Sequence, residues 1–274
     1  MEKQEILQHF CLDGEIVSIV TQESGHINAT FVVTTAGGRR YILQKINTTV
    51  FRNADRLMEN IVNVTSHLRK KILENGGDPE RETLTVIMTT QGKTYYKDGE
   101  GNDWRVYLYI EGAETFDQVS GTEDFYRSGL AFGRFQELLA DYPASTLYEV
   151  IPAFHDTGKR YRDFEKAVEE DLFHRVKEVG PEIAFIRERA KETTVLTDLL
   201  AKGELPLRVT HNDTKLSNIM LDTKTHEAVC VIDLDTVMPG LAAYDFGDSI
   251  RFGANTAAED ETDLSKCVKG EIGF

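Results

Sequence analysis

The sequence predicts an α+β fold of two lobes, a small antiparallel β lobe with one helix followed by a larger, mainly helical lobe. Two observations predict it. Up to about residue 110, runs of β-branched and aromatic residues alternate with turn residues, whereas beyond Gly112 apolar residues recur at helical spacing. A chain of 274 residues is long enough for two modest domains. We therefore expect a β-rich lobe over residues 1–110 and a helical lobe over residues 111–274.

Strands of the first lobe are indicated at residues 15–20, 27–34, 40–45, 84–90, 94–97 and 104–110. Gly37 and Gly38 supply a tight turn between the second and third strands. After the third strand, apolar residues recur every three or four positions from Arg52 to about Leu73, which predicts a helix with one buried face. These residues are Leu57, Ile61, Val64, Leu68 and Ile72.

Helical spacing continues over residues 123–140, 161–179 and 182–200, and short strands follow at 207–210, 219–221 and 229–232. Polar side chains come directly after these short strands, where loops present functional groups on a rigid base. Because ligands usually bind in the crevice between lobes, we expect the site there.

The composition limits the possible partners. The 31 Lys and Arg residues and 46 Asp and Glu residues give a formal net charge of −15. This charge repels polyphosphate chains, so we expect no nucleic-acid and no membrane partner. Three cysteines are too few for a disulfide framework. The polar start of the chain is unlike a signal peptide, which favours a cytoplasmic location. The oligomeric state is not indicated.

One constellation carries chemistry: Asp213 and Asn218 follow one short strand, and Asp233 follows another. Phosphoryl transfer to a hydroxyl needs a carboxylate beside the acceptor hydroxyl, and Asp213 suits this role. It also needs oxygen ligands for Mg²⁺ beside the nucleotide phosphates, which Asn218 and Asp233 can supply. The glycine motifs of Walker-type ATPases and Rossmann dehydrogenases are absent from the sequence.

The spacing of His211, Asp213 and Asn218, with Asp233 after a strand, resembles the aminoglycoside phosphotransferase and choline kinase superfamily, relatives of protein kinases. The resemblance implies a protein kinase-like fold. The fuller pattern is similar to the N-acetylhexosamine 1-kinases, which phosphorylate the anomeric hydroxyl of N-acetylglucosamine or N-acetylgalactosamine with ATP and Mg²⁺. The segments that carry it are residues 24–30, 41–47, 151–157, 210–218, 230–240 and 245–253.

The resemblance implies a role for each matching residue. Asp213 would be the catalytic base, Asn218 and Asp233 would hold Mg²⁺, and Asn212 would join Asp213 at the acceptor. Asp235 shares a strand face with Asp233, so it either contacts metal or substrate or is hydrogen-bonded structurally. Nucleotide contacts are expected from a glycine-containing loop, a strand lysine held by a helix glutamate, and the connector between the lobes. These residues are Gly25, His26, Asn28, Thr30, Lys45, Glu59, Ile110 and Glu111.

Three further expectations concern neighbouring residues. Gln44 competes with Lys45 as the phosphate contact, because a one-residue slip moves a side chain to the opposite strand face. His211 is expected to shape its loop through backbone hydrogen bonds. Asp245 and Asp248 are expected to brace the same loop by accepting hydrogen bonds from its backbone N–H groups.

The leading hypothesis is an ATP-dependent kinase that makes an N-acetylhexosamine 1-phosphate. Two alternatives remain: the same fold acting on choline, homoserine or an aminoglycoside, and a kinase-like protein that binds nucleotide without catalysis. Members of the family continue past the position of Phe274 with helices that contribute to the sugar site. We therefore expect the acceptor pocket formed by these 274 residues to be incomplete.

Overall fold

The computed structural model describes residues 2–22, 27–116, 122–253, 261–263 and 265. The β lobe contains a six-stranded antiparallel sheet, ordered β1-β2-β3-β6-β4, with β5 also paired to β6. This agrees with the predicted strands and with a helix after the third. The elements are α1 (Lys3–Leu7), β1 (Ile16–Gln22), β2 (Ala29–Thr35), β3 (Arg40–Lys45), α2 (Ala54–Glu74), α3 (Pro79–Glu82), β4 (Val86–Ile87), β5 (Tyr96–Lys97) and β6 (Asp103–Leu108).

The helical lobe carries two small antiparallel sheets, ordered β10-β9-β7 and β11-β8. Short 3₁₀ turns, including Leu216–Asn218 and Leu234–Thr236, follow two of its loops. The regular elements are β7 (Ala113–Glu114), α4 (Thr122–Leu138), α5 (Thr157–Glu170), α6 (Gly180–Glu188), α7 (Val195–Ala201), β8 (Arg208–Thr210), β9 (Ile219–Asp222), β10 (Ala228–Val231), β11 (Met238–Gly240) and α8 (Ala242–Gly253).

The long helices predicted over 161–179 and 182–200 are divided into three shorter ones. Helix α5 ends at Asp171, whose φ is +36°. Helix α6 starts afresh with Pro181 in its first turn, where a residue without an N–H group is tolerated. Helices α1, α3 and α8 and strands β7 and β11 were not predicted. None of the helices in the described ranges combines the length and apolar character needed to cross a membrane.

Alternation along β3 gives the large sheet two different faces. Leu43 packs into a core that α1 covers. Ile42 packs against a second core, to which α2 contributes. Because side chains alternate along a strand, Gln44 lies on the face of Ile42 and Lys45 on the face of Leu43. The face with Gln44 is the one that the helical lobe approaches.

Helix α2 joins the two lobes. Asn53 caps its N-terminus by accepting a hydrogen bond from the backbone N–H of Arg56, 3.0 Å away. Its apolar stripe, including Leu57, Ile61 and Val64, is fully buried. The same core contains side chains of α4, β8 and β10 from the helical lobe. Helix α2 therefore packs against the sheet on one side and the helical lobe on the other.

Candidate active site

The loop after β8 is held in shape by two carboxylates of α8. Asp245 accepts hydrogen bonds from the backbone N–H groups of His211 and Asn212, at 3.0 and 2.8 Å. Asp248 accepts one from the backbone N–H of Thr214, at 2.7 Å. Both acidic side chains are buried. The bracing role predicted for them is confirmed.

His211 ties this loop to the strand that precedes Asp233. Its fully buried ring places Nε2 2.9 Å from the carbonyl oxygen of Ile232, and Nδ1 accepts a hydrogen bond from the backbone N–H of Asp213 at 3.3 Å. Phe132 and Phe135 contact the ring edge-on. The predicted loop-shaping role is confirmed.

Asp213 and Asn218 meet directly. The Nδ2 group of Asn218 donates hydrogen bonds to the backbone oxygen of Asp213 at 2.8 Å and to its Oδ2 at 2.9 Å. Lys215 places Nζ 3.1 Å from the same Oδ2. The carboxylate of Asp213 remains 22% exposed, so a ligand can reach it. Sequence reasoning missed Lys215, although a lysine two positions after the catalytic candidate was the available signal.

Asp233 lies two residues after the neighbouring strand β10, in a left-handed conformation with φ of +56°. The backbone N–H of the preceding residue, Ile232, donates to the carbonyl oxygen of Asn218 at 2.8 Å, which brings the two loops together. Burial, together with the charges of Asp235 and Asp213, raises the pKa of Asp233 to about 6, although Arg105 opposes the rise. A cation at this carboxylate would relieve the repulsion.

These residues fit a magnesium ion. The Nδ2 group of Asn218 is already hydrogen-bonded, which leaves its Oδ1 as a ligand, and Asp233 adds a carboxylate. Within the described residues there is no group of three or more His, Cys, Asp or Glu side chains that could hold a metal. Two protein oxygens are nevertheless enough for Mg²⁺, which keeps several waters and takes substrate phosphates as its other ligands.

Two residues that were expected to contact the acceptor instead make their hydrogen bonds within the protein. Asn212 is buried, and its Nδ2 group donates to the backbone oxygens of Thr236 and Thr210, at 2.8 and 3.3 Å. Asp235 is buried in an ion pair with Arg105 at 2.5 and 2.9 Å. The structural alternative for Asp235 is therefore the one observed, because its two oxygens are held inside the protein.

The expected pair of Lys45 and Glu59 is not formed. Lys45 lies on the face of β3 away from α2, and Glu59 lies on the exposed side of α2. The position on β3 that faces the cleft belongs to Gln44, which accepts hydrogen bonds from Nε and Nη2 of Arg105 at 3.0 and 2.9 Å. Arg105 was missed, although an arginine between Trp104 and Val106 in β6 was a signal.

Other expected nucleotide contacts are distributed along the sheet. Gly25 and His26 lie outside the described residues. Asn28 donates from Nδ2 to Oδ2 of Asp235 at 2.7 Å, and Thr30 accepts a hydrogen bond from Nε2 of Gln44 at 3.1 Å. Both therefore belong to the polar network around Arg105.

The connector between the lobes follows β6. Ile110 is buried there in the core shared by the lobes. Glu111 is exposed and pairs with Arg40, with Nε of Arg40 2.9 Å from Oε1 of Glu111. This hydrogen bond lowers the pKa of Glu111. Its side chain is thus turned to the surface, which leaves backbone groups as the means by which this segment could contact a base.

Comparison with known proteins identifies the family. The family described as "APH: Phosphotransferase enzyme family" matches residues 18–264. This chain belongs to the phosphotransferase enzyme family. The match covers the sheet, the loop after β8 and most of the helical lobe of this phosphotransferase.

Solved structures share the fold of this phosphotransferase. An aminoglycoside phosphotransferase from Alicyclobacillus acidocaldarius subsp. acidocaldarius DSM 446 is 16% identical, with a TM-score of 0.61 over 93% of this chain and 73% of that chain. The amicoumacin kinase hAmiN in complex with AMP-PNP, Ca²⁺ and Ami is 13% identical, with a TM-score of 0.56 over 92% of this chain and 69% of that chain. Aminoglycoside 2'-phosphotransferase-IIIa in its GDP complex is 14% identical, with a TM-score of 0.54 over 88% of this chain and 74% of that chain. The predicted kinase-like two-lobed fold is confirmed.

Proposed function

We propose that this phosphotransferase is an ATP-dependent kinase whose acceptor is the anomeric hydroxyl of an N-acetylhexosamine. The observation that carries the proposal is the direct contact of Asn218 with Asp213, together with the backbone hydrogen bond from Ile232, next to Asp233, to Asn218. A nucleotide donor is supported by the similar folds that hold AMP-PNP and GDP. A cytoplasmic location, where ATP is available, is part of the proposal.

The mechanism follows from the contacts of Asp213. The hydrogen bond from Asn218 and the ion pair with Lys215 both involve Oδ2, which leaves Oδ1 for the acceptor hydroxyl. Asp213 orients this hydroxyl and takes its proton as the hydroxyl oxygen attacks the γ-phosphorus of ATP, whose bond to the oxygen of the β-phosphate breaks so that ADP leaves. Lys215 adds positive charge on the same side. When bound, Mg²⁺ held by Asn218 and Asp233 would neutralise charge on the phosphates.

The acceptor class rests on the motif resemblance and on the chemistry of the site. A neutral sugar offers several hydroxyl donors, and the carboxylate oxygens at the site accept hydrogen bonds. A cationic acceptor such as choline or an aminoglycoside is the alternative, because the protein carries a net charge of −15 that attracts cations.

The base assignment is tested by Asp213→Asn. We expect kcat to fall by at least ~10²-fold, because a positioned general base typically contributes that much or more. Binding of AMP-PNP with Mg²⁺, measured by calorimetry, should persist. Asp141→Asn is the matched control, since Asp141 lies on the surface with Lys71. Retention of most activity by Asp213→Asn would refute the assignment.

The acceptor is tested with a panel of N-acetylglucosamine, N-acetylgalactosamine, choline, homoserine and an aminoglycoside, each with γ-labelled ATP. Label transferred to an N-acetylhexosamine, in a product with the acid lability of a sugar 1-phosphate, is the expected result. Transfer to one of the other acceptors would replace the proposed substrate. Tight binding of Mg²⁺ and nucleotide without any transfer would favour the non-catalytic alternative.

A further inference from the structure

A buried polar network crosses the cleft beside the candidate active site. Arg105 of β6 is almost completely inaccessible and forms four hydrogen bonds, two to Asp235 and two to Gln44. Asn28, just before β2, donates to the same Asp235 carboxylate. Gln44 in turn donates to Thr30 of β2. The network thus joins three strands of the large sheet to a single carboxylate of the helical lobe.

The contacts of Arg105 leave it little capacity for a ligand. A guanidinium has five N–H donors, and the four hydrogen bonds occupy most of them. Its two-pronged geometry matches the carboxylate of Asp235, which a lysine could not reproduce. Arg105 therefore acts on the site through Asp235 and not by touching a phosphate.

Asp235 links Arg105 to the turn that follows Asp233. It follows Asp233 by two residues, and residues 234–236 form a 3₁₀ turn that begins directly after the left-handed Asp233. A carboxylate held by two hydrogen bonds from Arg105 fixes this turn against the sheet. The direction of the Asp233 carboxylate is fixed with it. Lys45 and Glu59, which were expected in the cleft, lie on outer faces and do not contribute to this network.

We propose that Arg105 is a positioning residue for the phosphoryl-transfer site: with Asp235 and Gln44 it sets the Asp233 carboxylate relative to the sheet, so that Asp233 can hold the metal that accompanies the nucleotide. The inference rests on the proposed function. It gives β6 and the turn after β10 a role in positioning a metal ligand, which differs from the nucleotide contact that the resemblance implied for Lys45 and Glu59.

The test is Arg105→Lys, which keeps the charge and loses the two-pronged contact. The probe is AMP-PNP, titrated by calorimetry with Mg²⁺ and again with EDTA. We expect the affinity with Mg²⁺ to fall about tenfold, which corresponds to ~1.4 kcal/mol. The affinity in EDTA should be unchanged, since the nucleotide itself does not touch Arg105. A residue with only a structural role would shift both affinities or neither.

The matched control is Arg81→Lys. Arg81 of α3 also forms an ion pair between the lobes, with Nη2 2.9 Å from Oδ2 of Asp222 in β9. The Arg81→Lys variant makes the same change from arginine to lysine at a position away from Asp233. We expect both affinities of this variant to equal those of the wild type. A loss of Mg²⁺-dependent affinity in Arg81→Lys as large as in Arg105→Lys would overturn the specific role of Arg105.

A double variant distinguishes the loss of positioning from a failure to fold. Replacing a buried ion pair by apolar side chains of similar size is often tolerated, so Arg105→Met with Asp235→Leu is expected to fold, as judged by its melting temperature. The same tenfold loss should appear with Mg²⁺ and not in EDTA. Wild-type affinity in either Arg105→Lys or the folded double variant would overturn the inference. Absence of Mg²⁺-enhanced AMP-PNP binding in the wild type would instead overturn the proposed function, and the inference with it.

Discussion

Three aspartates within 23 residues of one another behave differently because their neighbours differ. Asp213 is partly exposed and lies beside Lys215. Asp233 is destabilised as an anion by burial and by Asp235. Asp235 is itself neutralised by the buried guanidinium of Arg105. Under the proposed function, the same side chain serves as base, metal ligand and anchor, and the proposed roles follow from the surroundings of each aspartate rather than from residue type.

Asp98 provides a prediction on stability at the scale of one residue. Although its burial opposes the charge, hydrogen bonds from Asn102, Trp104 and the backbone of the turn hold the pKa of Asp98 well below its usual range. Asp98→Asn should lower the free energy of unfolding at neutral pH by about 1–3 kcal/mol, because a buried donor loses its acceptor.

The pH dependence of that effect has a definite sign. A carboxylate with a lowered pKa in the folded state stabilises the fold above its unfolded pKa of about 4, and this contribution is lost as the pH falls below that value. The difference between wild type and Asp98→Asn should therefore shrink in acid, as measured by urea unfolding at several pH values. Asp13→Asn, at an exposed position, is the control. A difference that is constant with pH would contradict the explanation.

Residues of the site were predictable where their partners are close in the sequence. Asp213 and Asn218 are five residues apart, so one loop determines their contact. Arg105 and Asp235 are 130 residues apart, and only the completed fold pairs them. The sequence pattern places Lys45 and Gln44 on opposite faces of β3, but it does not show which face is turned towards the cleft. The choice between the two residues therefore needed the structure.

At the scale of an element, α2 is anchored by a polar residue within its buried side. Asn60 donates from Nδ2 to the backbone oxygens of Tyr148 and Val237, at 2.8 and 3.0 Å, and accepts from the backbone N–H of Tyr148 at 2.9 Å. These contacts tie α2 to two segments of the helical lobe. Helix α2 is therefore held in place without an ion pair from Glu59.

Asn60→Ala should lower the free energy of unfolding by about 3 kcal/mol, because it leaves buried backbone groups without partners. Asn63→Ala is the matched control: Asn63 is on the exposed side of the same helix, where alanine is the better helix former. Chemical denaturation of the two variants measures the difference. Equal stability of the two would show that the anchor contributes nothing.

The elements themselves were predictable to different degrees. Helix α2 has a regular apolar stripe, so its existence and buried face followed from spacing alone. The region of α5 to α7 was predicted as two long helices. The spacing of apolar residues does not show where a helix ends, as α5 does before the left-handed Asp171. Helix α1 is only five residues long, too short for periodicity to detect.

At the scale of the whole molecule, charge separates the candidate acceptors. A net charge of −15 attracts cations at a distance, and salt screens this attraction. For a neutral N-acetylhexosamine we expect kcat/KM to change less than about twofold between low salt and 0.5 M NaCl, because no long-range steering is involved. For choline or an aminoglycoside it should fall markedly. A strong salt dependence with the sugar would contradict the neutral-acceptor proposal.

The long separation between Arg105 and Asp235 also bears on how the protein is made. During synthesis, the strand with the arginine leaves the ribosome 130 residues before its counter-charge. Enclosing an unpaired guanidinium is costly, so we expect the cleft face of the sheet to stay open to solvent until the turn after β10 has emerged. On this basis the two lobes can close on each other only once the counter-charge has been synthesised.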